Sequence, residues 1–222
     1  MLHHINQKEG NSMSLAINTN ATHSAGKPTA YIVVGLPYSG KTDVAHQLKS
    51  RHGRHTVIVS SDVIRKKLRE APSGKSIFCE ARKQMIGVLG YGHDVILDAT
   101  NITHGQRQVT LRSIESHAGK IICIFVDVPL NTCLARYKRC NRHSYAKSHT
   151  ERIKQMWKQL QTNCNNPIKA NALGGFDEIH HYTGNGDGKF TIRIFHRPLC
   201  IHPPHKKGKR GRKEMFSKYS SQ

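Results

Sequence analysis

Ala30-Tyr31-Ile32-Val33-Val34-Gly35-Leu36-Pro37-Tyr38-Ser39-Gly40-Lys41-Thr42 is the stretch that decides how the chain folds. Ala30–Val34 is a short apolar run of the kind a buried strand carries. Gly35 to Thr42 then fit the spacing G-x-x-x-x-G-K-[ST]. Val44, Ala45 and Leu48 follow at helical spacing within Lys41–Arg51. A glycine-rich turn between strand and helix gathers backbone N–H groups around a phosphate, and the helix N-terminus adds its dipole. In such a loop Gly35 and Gly40 permit the turn and the close approach, with Leu36, Pro37, Tyr38 and Ser39 completing the cradle. Lys41 is placed to reach the β- and γ-phosphates, and the Thr42 hydroxyl to bind Mg²⁺. The pattern calls for a nucleoside triphosphate but does not by itself separate kinases from ATPases or GTPases.

Outward from this loop, short apolar runs alternate with helical patterns. Thr56–Ser60, Asp94–Leu97 and Ile121–Val126 read as strands. Ser76–Leu89, with Phe78, Ala81, Met85 and Val88 on one face, reads as a helix, as does His104–Ala118 with Leu111, Ile114 and Ala118. Leu130–Arg142 and His149–Gln161 also look helical. The alternation implies βαβ units and a mostly parallel sheet between helical layers. Ile179–Tyr182 and Phe190–Phe195 flank the turn Gly184–Gly188, which is too short for a parallel crossover and predicts a terminal antiparallel hairpin.

The chain has 222 residues and 36% hydrophobic residues, enough for one compact domain with tails. No run approaches the ~18 apolar residues of a membrane span, and no membrane partner is expected. The first thirty residues lack the apolar core of a signal peptide. Six cysteines without C-x-x-C spacing read as reduced thiols of a cytosolic protein. Residues 1–28 are polar and predict a disordered leader, 29–200 the folded domain, and 201–222 a basic tail suited to gripping nucleic acid or to a nuclear address. Net charge is +21, with 35 Lys and Arg against 14 Asp and Glu. The basic run His205–Gln222 carries seven cations and one acid, so the body is basic without it. Such an excess predicts a polyanionic partner, nucleic acid foremost.

Two further positions suggest what a bound triphosphate is used for. Ser60-Ser61-Asp62-Val63-Ile64-Arg65 follows the second strand, at the carboxyl end where ligands of a parallel sheet collect. Asp62 and Arg65 are three apart and share a helix face. A carboxylate there can take a proton from an attacking hydroxyl while the Arg holds an anionic acceptor. The same spacing also fits an N-capping Asp with a surface Arg. Asp98 ends an apolar strand, where it could hold the Mg²⁺ shell, orient Arg65 or cap the next segment.

Three motifs in order, G-x-P-x-S-G-K-[ST], then S-S-D-x-I-R-x-x-L at Ser60–Leu68, then I-L-D-A-T-N at Ile96–Asn101, resemble the polynucleotide-kinase-like P-loop kinases, relatives of the zeta-toxin kinases. The resemblance spans Thr29 to Phe195; Leu134–Arg142 is similar to the family's Arg-rich lid, and Gly175–Ile179 to its closing strand. It implies a P-loop NTPase fold, a three-layer α/β/α sandwich with a helical lid. It also implies ATP and Mg²⁺ at Lys41 and Thr42, Asp62 as general base, Arg65 on the acceptor phosphate and Asp98 supporting the site. A lid arginine over the transferring phosphoryl group would be Arg136, Arg139 or Arg142, with Arg139 taken as the central choice.

The chain departs from that family at three places. Arg136-Tyr137-Lys138-Arg139-Cys140-Asn141-Arg142 does not reproduce the lid's R-N-x-x-R pattern. Asp43 follows Thr42 where Thr is usual. Tyr38 stands where a small residue is common, on a side of such loops that faces solvent, so its ring is either tolerated or narrows the nucleotide site.

Arg136 to Lys158 carries eight cations and one acid, Glu151, with Tyr137, Tyr145 and Trp157 interleaved; these rings stand open to stacking on a base or to packing, and Trp157 is expected to pack. The expected activity is transfer of the γ-phosphoryl of Mg·ATP to the 5′-hydroxyl of a polynucleotide. A small hydroxylated metabolite as acceptor, and a non-catalytic ATP-gated nucleic-acid binder, are the alternatives.

Overall fold

The computed structural model describes residues 26–53, 55–68, 73–140, 146–185 and 188–197. The expected leader up to residue 25, the tail beyond residue 197, Arg142 and Tyr145 lie outside the described residues. In chain order the elements are β1 (Thr29–Gly35), α1 (Lys41–His52), β2 (Thr56–Ser60), α2 (Ser61–Lys67), α3 (Gly74–Gly90) and β3 (Asp94–Asp98). There follow α4 (His104–Ile114), β4 (Lys120–Asp127), α5 (Leu130–Cys140), α6 (Lys147–Gln161), a 3₁₀ turn (Asn171–Gly175), β5 (Glu178–Thr183) and β6 (Thr191–His196).

The strands form one sheet in the order β2-β3-β1-β4-β5-β6. β1 pairs in parallel with β3 and β4, and β5 joins β4 in parallel. β6 returns antiparallel to β5, from Glu178↔His196 to Thr183↔Thr191, as the short turn dictates. Every residue from Ala30 to Gly35 and from Ile121 to Val126 is buried, on both faces of the sheet. Continuous apolar strands of this kind belong between two helical layers, and the molecule is the α/β/α sandwich of a P-loop NTPase. None of the described helices is long and apolar enough to cross a membrane.

Helix faces follow from their caps. The Ser73 hydroxyl accepts from the Ser76 N–H at 3.1 Å, so α3 starts at Gly74, not Ser76. Its buried stripe is Ile77, Ala81, Met85 and Leu89; Phe78 and Val88, expected on that face, are only half-buried at its border. α4 stops at Ile114, and Ala118 is buried in the turn that follows.

The buried face of α4 also carries Arg107, fully inaccessible to solvent. Its guanidinium donates to the carbonyls of Asn101 (2.9 Å), Ile102 (2.8 Å) and Asn165 (2.8 Å). It thereby fastens the loop after β3 to the segment after α6, and burial pulls its pKa below the usual arginine value. At the opposite end of the sheet Glu178 meets three strands. It takes Lys120 of β4 at 2.7 Å, His180 of β5 at 3.0 Å and His196 of β6 at 3.1 Å. Burial acts to raise the Glu178 carboxyl, but the bonds from Lys120 and His180 outweigh it and hold it below the ordinary carboxylate value.

Arg107→Leu is expected to lower unfolding free energy by about 3 kcal/mol in urea denaturation, because buried carbonyls lose their donor. Glu178 has a depressed folded pKa, so its stabilisation is full above the unfolded value near 4.5 and is lost as pH falls through the folded one. The stability gap between wild type and Glu178→Gln should therefore close in acid melts below pH 4.5.

Candidate active site

The sheet order places the ends of β1 and β3 side by side, with the chain leaving them toward different neighbours, which opens a crevice at their carboxyl edge. The Gly35 N–H donates to Thr100 O at 3.1 Å, and Asn101 Nδ2 donates to Val33 O at 2.7 Å. These bonds moor the start of the phosphate loop to the loop after β3. Gly35 can only be glycine: a Cβ would stand 2.6 Å from Val126 O and 3.0 Å from Ser39 Oγ. The loop closes through Ser39 N–H to Leu36 O at 3.2 Å.

Helix α1 then begins at Gly40, in the left-handed region at φ 93°, with no side chain capping it. The first N–H groups of an uncapped helix have no intrahelical acceptor and suit an anion. Ser39 Oγ is fully buried and unpartnered, a further orphan polar atom in the same cradle. Lys41 is buried and folds its Nζ onto Leu36 O at 2.6 Å. Burial pushes its pKa down to about 8, against the opposing charges of Asp98, Cys133 and Asp62. The Thr42 hydroxyl donates to Asp98 Oδ2 at 2.9 Å, and Asp98 is 5% exposed. A hydroxyl with free lone pairs beside a buried carboxylate is a hard oxygen pair of the kind Mg²⁺ takes along with phosphate oxygens. The residues present therefore fit a Mg²⁺-bound polyphosphate.

Ser60 lies beside Asp98 in the β2–β3 register, so α2 rises from the same edge. Asp62 and Arg65 pair at 2.6 Å, with side chains 73% and 55% exposed. The structure thus brings Lys41, Thr42, Asp98 and Asp62 to one edge of the sheet.

It separates the lid arginines. Arg136 of α5 reaches the loop, with Nη1 3.0 Å from Tyr38 O. Its guanidinium also lies 3.6 Å from where a Gly40 Cβ would be. Arg139 sits on the last turn of α5, exposed, and no described contact joins it to the loop. Of the two described lid candidates, Arg136 and not Arg139 lies against the loop, because a helix that begins at Leu130 turns its 133–136–137 side inward.

Tyr38 also departs from expectation. Its ring is half-buried against the lid, 5.3 Å from Tyr137 and 6.4 Å from His149, and does not face solvent. Its backbone is left-handed at φ 64°, a conformation that costs an L-residue about 1–2 kcal/mol. Tyr137 is 3% exposed and unavailable to a base, and Trp157 packs at the core border. Asn101 stands in the motif at Ile96–Asn101 with no role expected of it, and Arg107 lies outside every motif. The signal for Arg107 was its place four and seven residues before Leu111 and Ile114.

An AAA domain family model matches residues 31–163. Among curated proteins none matches. Among solved structures the fold is similar to a chain of the Pnkp1/Rnl/Hen1 RNA repair complex, at TM-score 0.54 and 23% identity, over 82% of this chain and 51% of that one. The chain therefore spans about half the length of that protein. It is also similar to a chain from the PezAT chromosomal toxin-antitoxin system of Streptococcus pneumoniae, at TM-score 0.49 and 14% identity, over 74% and 72% of the two chains. A gluconokinase from Sinorhizobium meliloti 1021 aligns at TM-score 0.45 and 16% identity, over 64% and 79%. The fold is that of a P-loop NTPase, as the three motifs led one to expect.

Gly35→Ala must displace either the Val126 carbonyl or the loop. It is expected to weaken binding of a nucleoside triphosphate at least tenfold in fluorescence titration, with a lowered melting temperature.

Proposed function

This chain belongs to the AAA domain family, and we propose that it is an ATP-dependent kinase that transfers the γ-phosphoryl group to an alcohol, most favourably the 5′-hydroxyl of a polynucleotide. The observation that carries the reading is the exposed Asp62–Arg65 pair on the edge that also holds Lys41, Thr42 and Asp98. ATPases need only water as acceptor; an exposed carboxylate and guanidinium suit a bulkier, anionic one.

The roles follow from chemistry and position. The amides of the phosphate loop and the uncapped start of α1 hold the phosphates. Lys41, kept dry, carries its charge more readily once phosphate oxygens share its site. Thr42 and Asp98 would hold Mg²⁺, which supplies charge neutralisation on the β- and γ-oxygens. Asp62 accepts the proton of the attacking hydroxyl, and Arg65, now paired to it, turns to the acceptor's phosphate. Arg136 stands over Gly40 and supports negative charge on the transferred group. Catalysis of this kind is chiefly positioning and electrostatics.

The preference for a polynucleotide rests on charge. Lys138 and Arg139 on α5, and Lys147, Arg152 and Lys158 on α6, are exposed, while Glu151 is occupied by Lys154 at 2.7 Å. A small acceptor has no use for such a surface, whereas a phosphate chain does. The similar chain in the RNA repair complex makes nucleic-acid ends the acceptor to test first.

The test is transfer of labelled γ-phosphate from Mg·ATP to 5′-hydroxyl RNA and DNA oligonucleotides. Wild type should label the oligonucleotide. Asp62→Asn is expected to lower the rate by ~10²–10⁴, and Lys41→Ala to abolish labelling. Label that depends on Asp62 but appears only in a metabolite mixture would move the acceptor to a small molecule. Full activity of Asp62→Asn would remove the assigned base.

A further inference from the structure

Tyr38, Tyr137 and His149 come from three separate elements and meet in one cluster. Tyr137 stacks on His149, with centroids 4.8 Å apart and planes at 27°, and Tyr38 packs on both. The Tyr137 hydroxyl accepts from Ala146 N–H at 3.0 Å and lies 3.3 Å from Ala146 O, which pins the start of α6 to α5. The Tyr38 carbonyl accepts from Arg136, the residue next to Tyr137. Tyr38 does this from a left-handed backbone that glycine would adopt without cost. A strained residue in a binding loop persists when its surroundings hold it there. Among the described residues, the rings against its side chain are those of Tyr137 and His149 in the lid.

We propose that Tyr38 is a positioning residue, clasped by Tyr137 and His149, which ties the shape of the phosphate loop to the seating of α5 and α6 and so keeps Arg136 over Gly40. The inference rests on the reading of this loop as the nucleotide site, but its core is mechanical and can be tested without nucleotide. The lid and the loop form one unit: a change at His149, more than one hundred residues along the chain, loosens residues 36–42.

Hydrogen exchange of the ligand-free protein is the first measurement. His149→Ala is expected to speed exchange of the amides of residues 36–42 at least fivefold, with the core strands β1 and β4 unchanged. Tyr38→Gly should do the same while leaving the melting temperature equal or higher, since the strain is relieved. His149→Phe keeps the ring and should exchange as wild type does. Fluorescence of Trp157, the only Trp, reports whether α6 remains seated in each variant. Unchanged exchange of residues 36–42 in His149→Ala, with Trp157 emission unchanged, overturns the proposal. So does faster exchange that spreads equally to β1 and β4, which would mark a general loss of stability.

The second measurement is titration with a fluorescent ATP analogue. His149→Ala and Tyr38→Gly should weaken binding at least threefold and His149→Phe not at all. Wild type that binds no nucleotide would sink the proposed function, while the exchange result still decides the clasp.

Discussion

Two hydrogen bonds join the end of β1 to the loop after β3: the Gly35 amide to Thr100 O and the Asn101 side chain to Val33 O. The carboxyl edge depends on them. They fix where the backbone leaves the sheet, and the carbonyl of Val126 on the neighbouring strand then leaves no room for a side chain at Gly35. From that point the loop can only rise and turn into α1 with its first amides facing the crevice. The same junction sets the distance from Thr42 to Asp98, because Asp98 lies just upstream on β3. Arg107 holds the junction from beneath, through the carbonyls of Asn101 and Ile102, so a buried cation bonded to carbonyls, with no acid partner among the described residues, serves as the fastener. A neutral side chain could not reach three carbonyls from one position.

The site is electrostatically poised. Lys41 and Asp98 are both withdrawn from water, and the lysine is held in a state from which its proton is given up more easily than in solution. A dense anion entering the loop reverses that balance. Outside the cleft the charge is of one sign over much of the described lid surface. On the proposed reading the interior of the cleft and its rim answer to different demands: the first to a compact polyphosphate, the second to an extended polyanion.

Much of this was legible in the residues. The strands and helices fall where periodicity put them, because the buried strands are uniformly apolar and each helix has one apolar stripe. The antiparallel return of β6 follows from a turn too short for anything else. On α3, Ala81 and Met85 lie on the buried stripe as their spacing implies, whereas its ends are Ile77 and Leu89 and the apolar Phe78 and Val88 flank it. The site motifs were legible because their chemistry demands fixed spacing within a few residues. The lid was not: which arginine points inward depends on where α5 begins and on contacts with a loop one hundred residues earlier. Tyr38 was misread for the same reason. Its neighbours Tyr137 and His149 are remote in the chain, and nothing local announces that they meet.

The carboxylate of Glu178, held in common by β4, β5 and β6, bears on how the sheet comes apart. An added hairpin usually frays as its own cooperative unit, well below the free energy of global opening. When one group bridges all three strands, peeling β6 away leaves a half-buried charge with fewer partners, so the hairpin and the last parallel pairing tend to open together. The terminal strands are thereby tied to the central sheet through a single carboxylate.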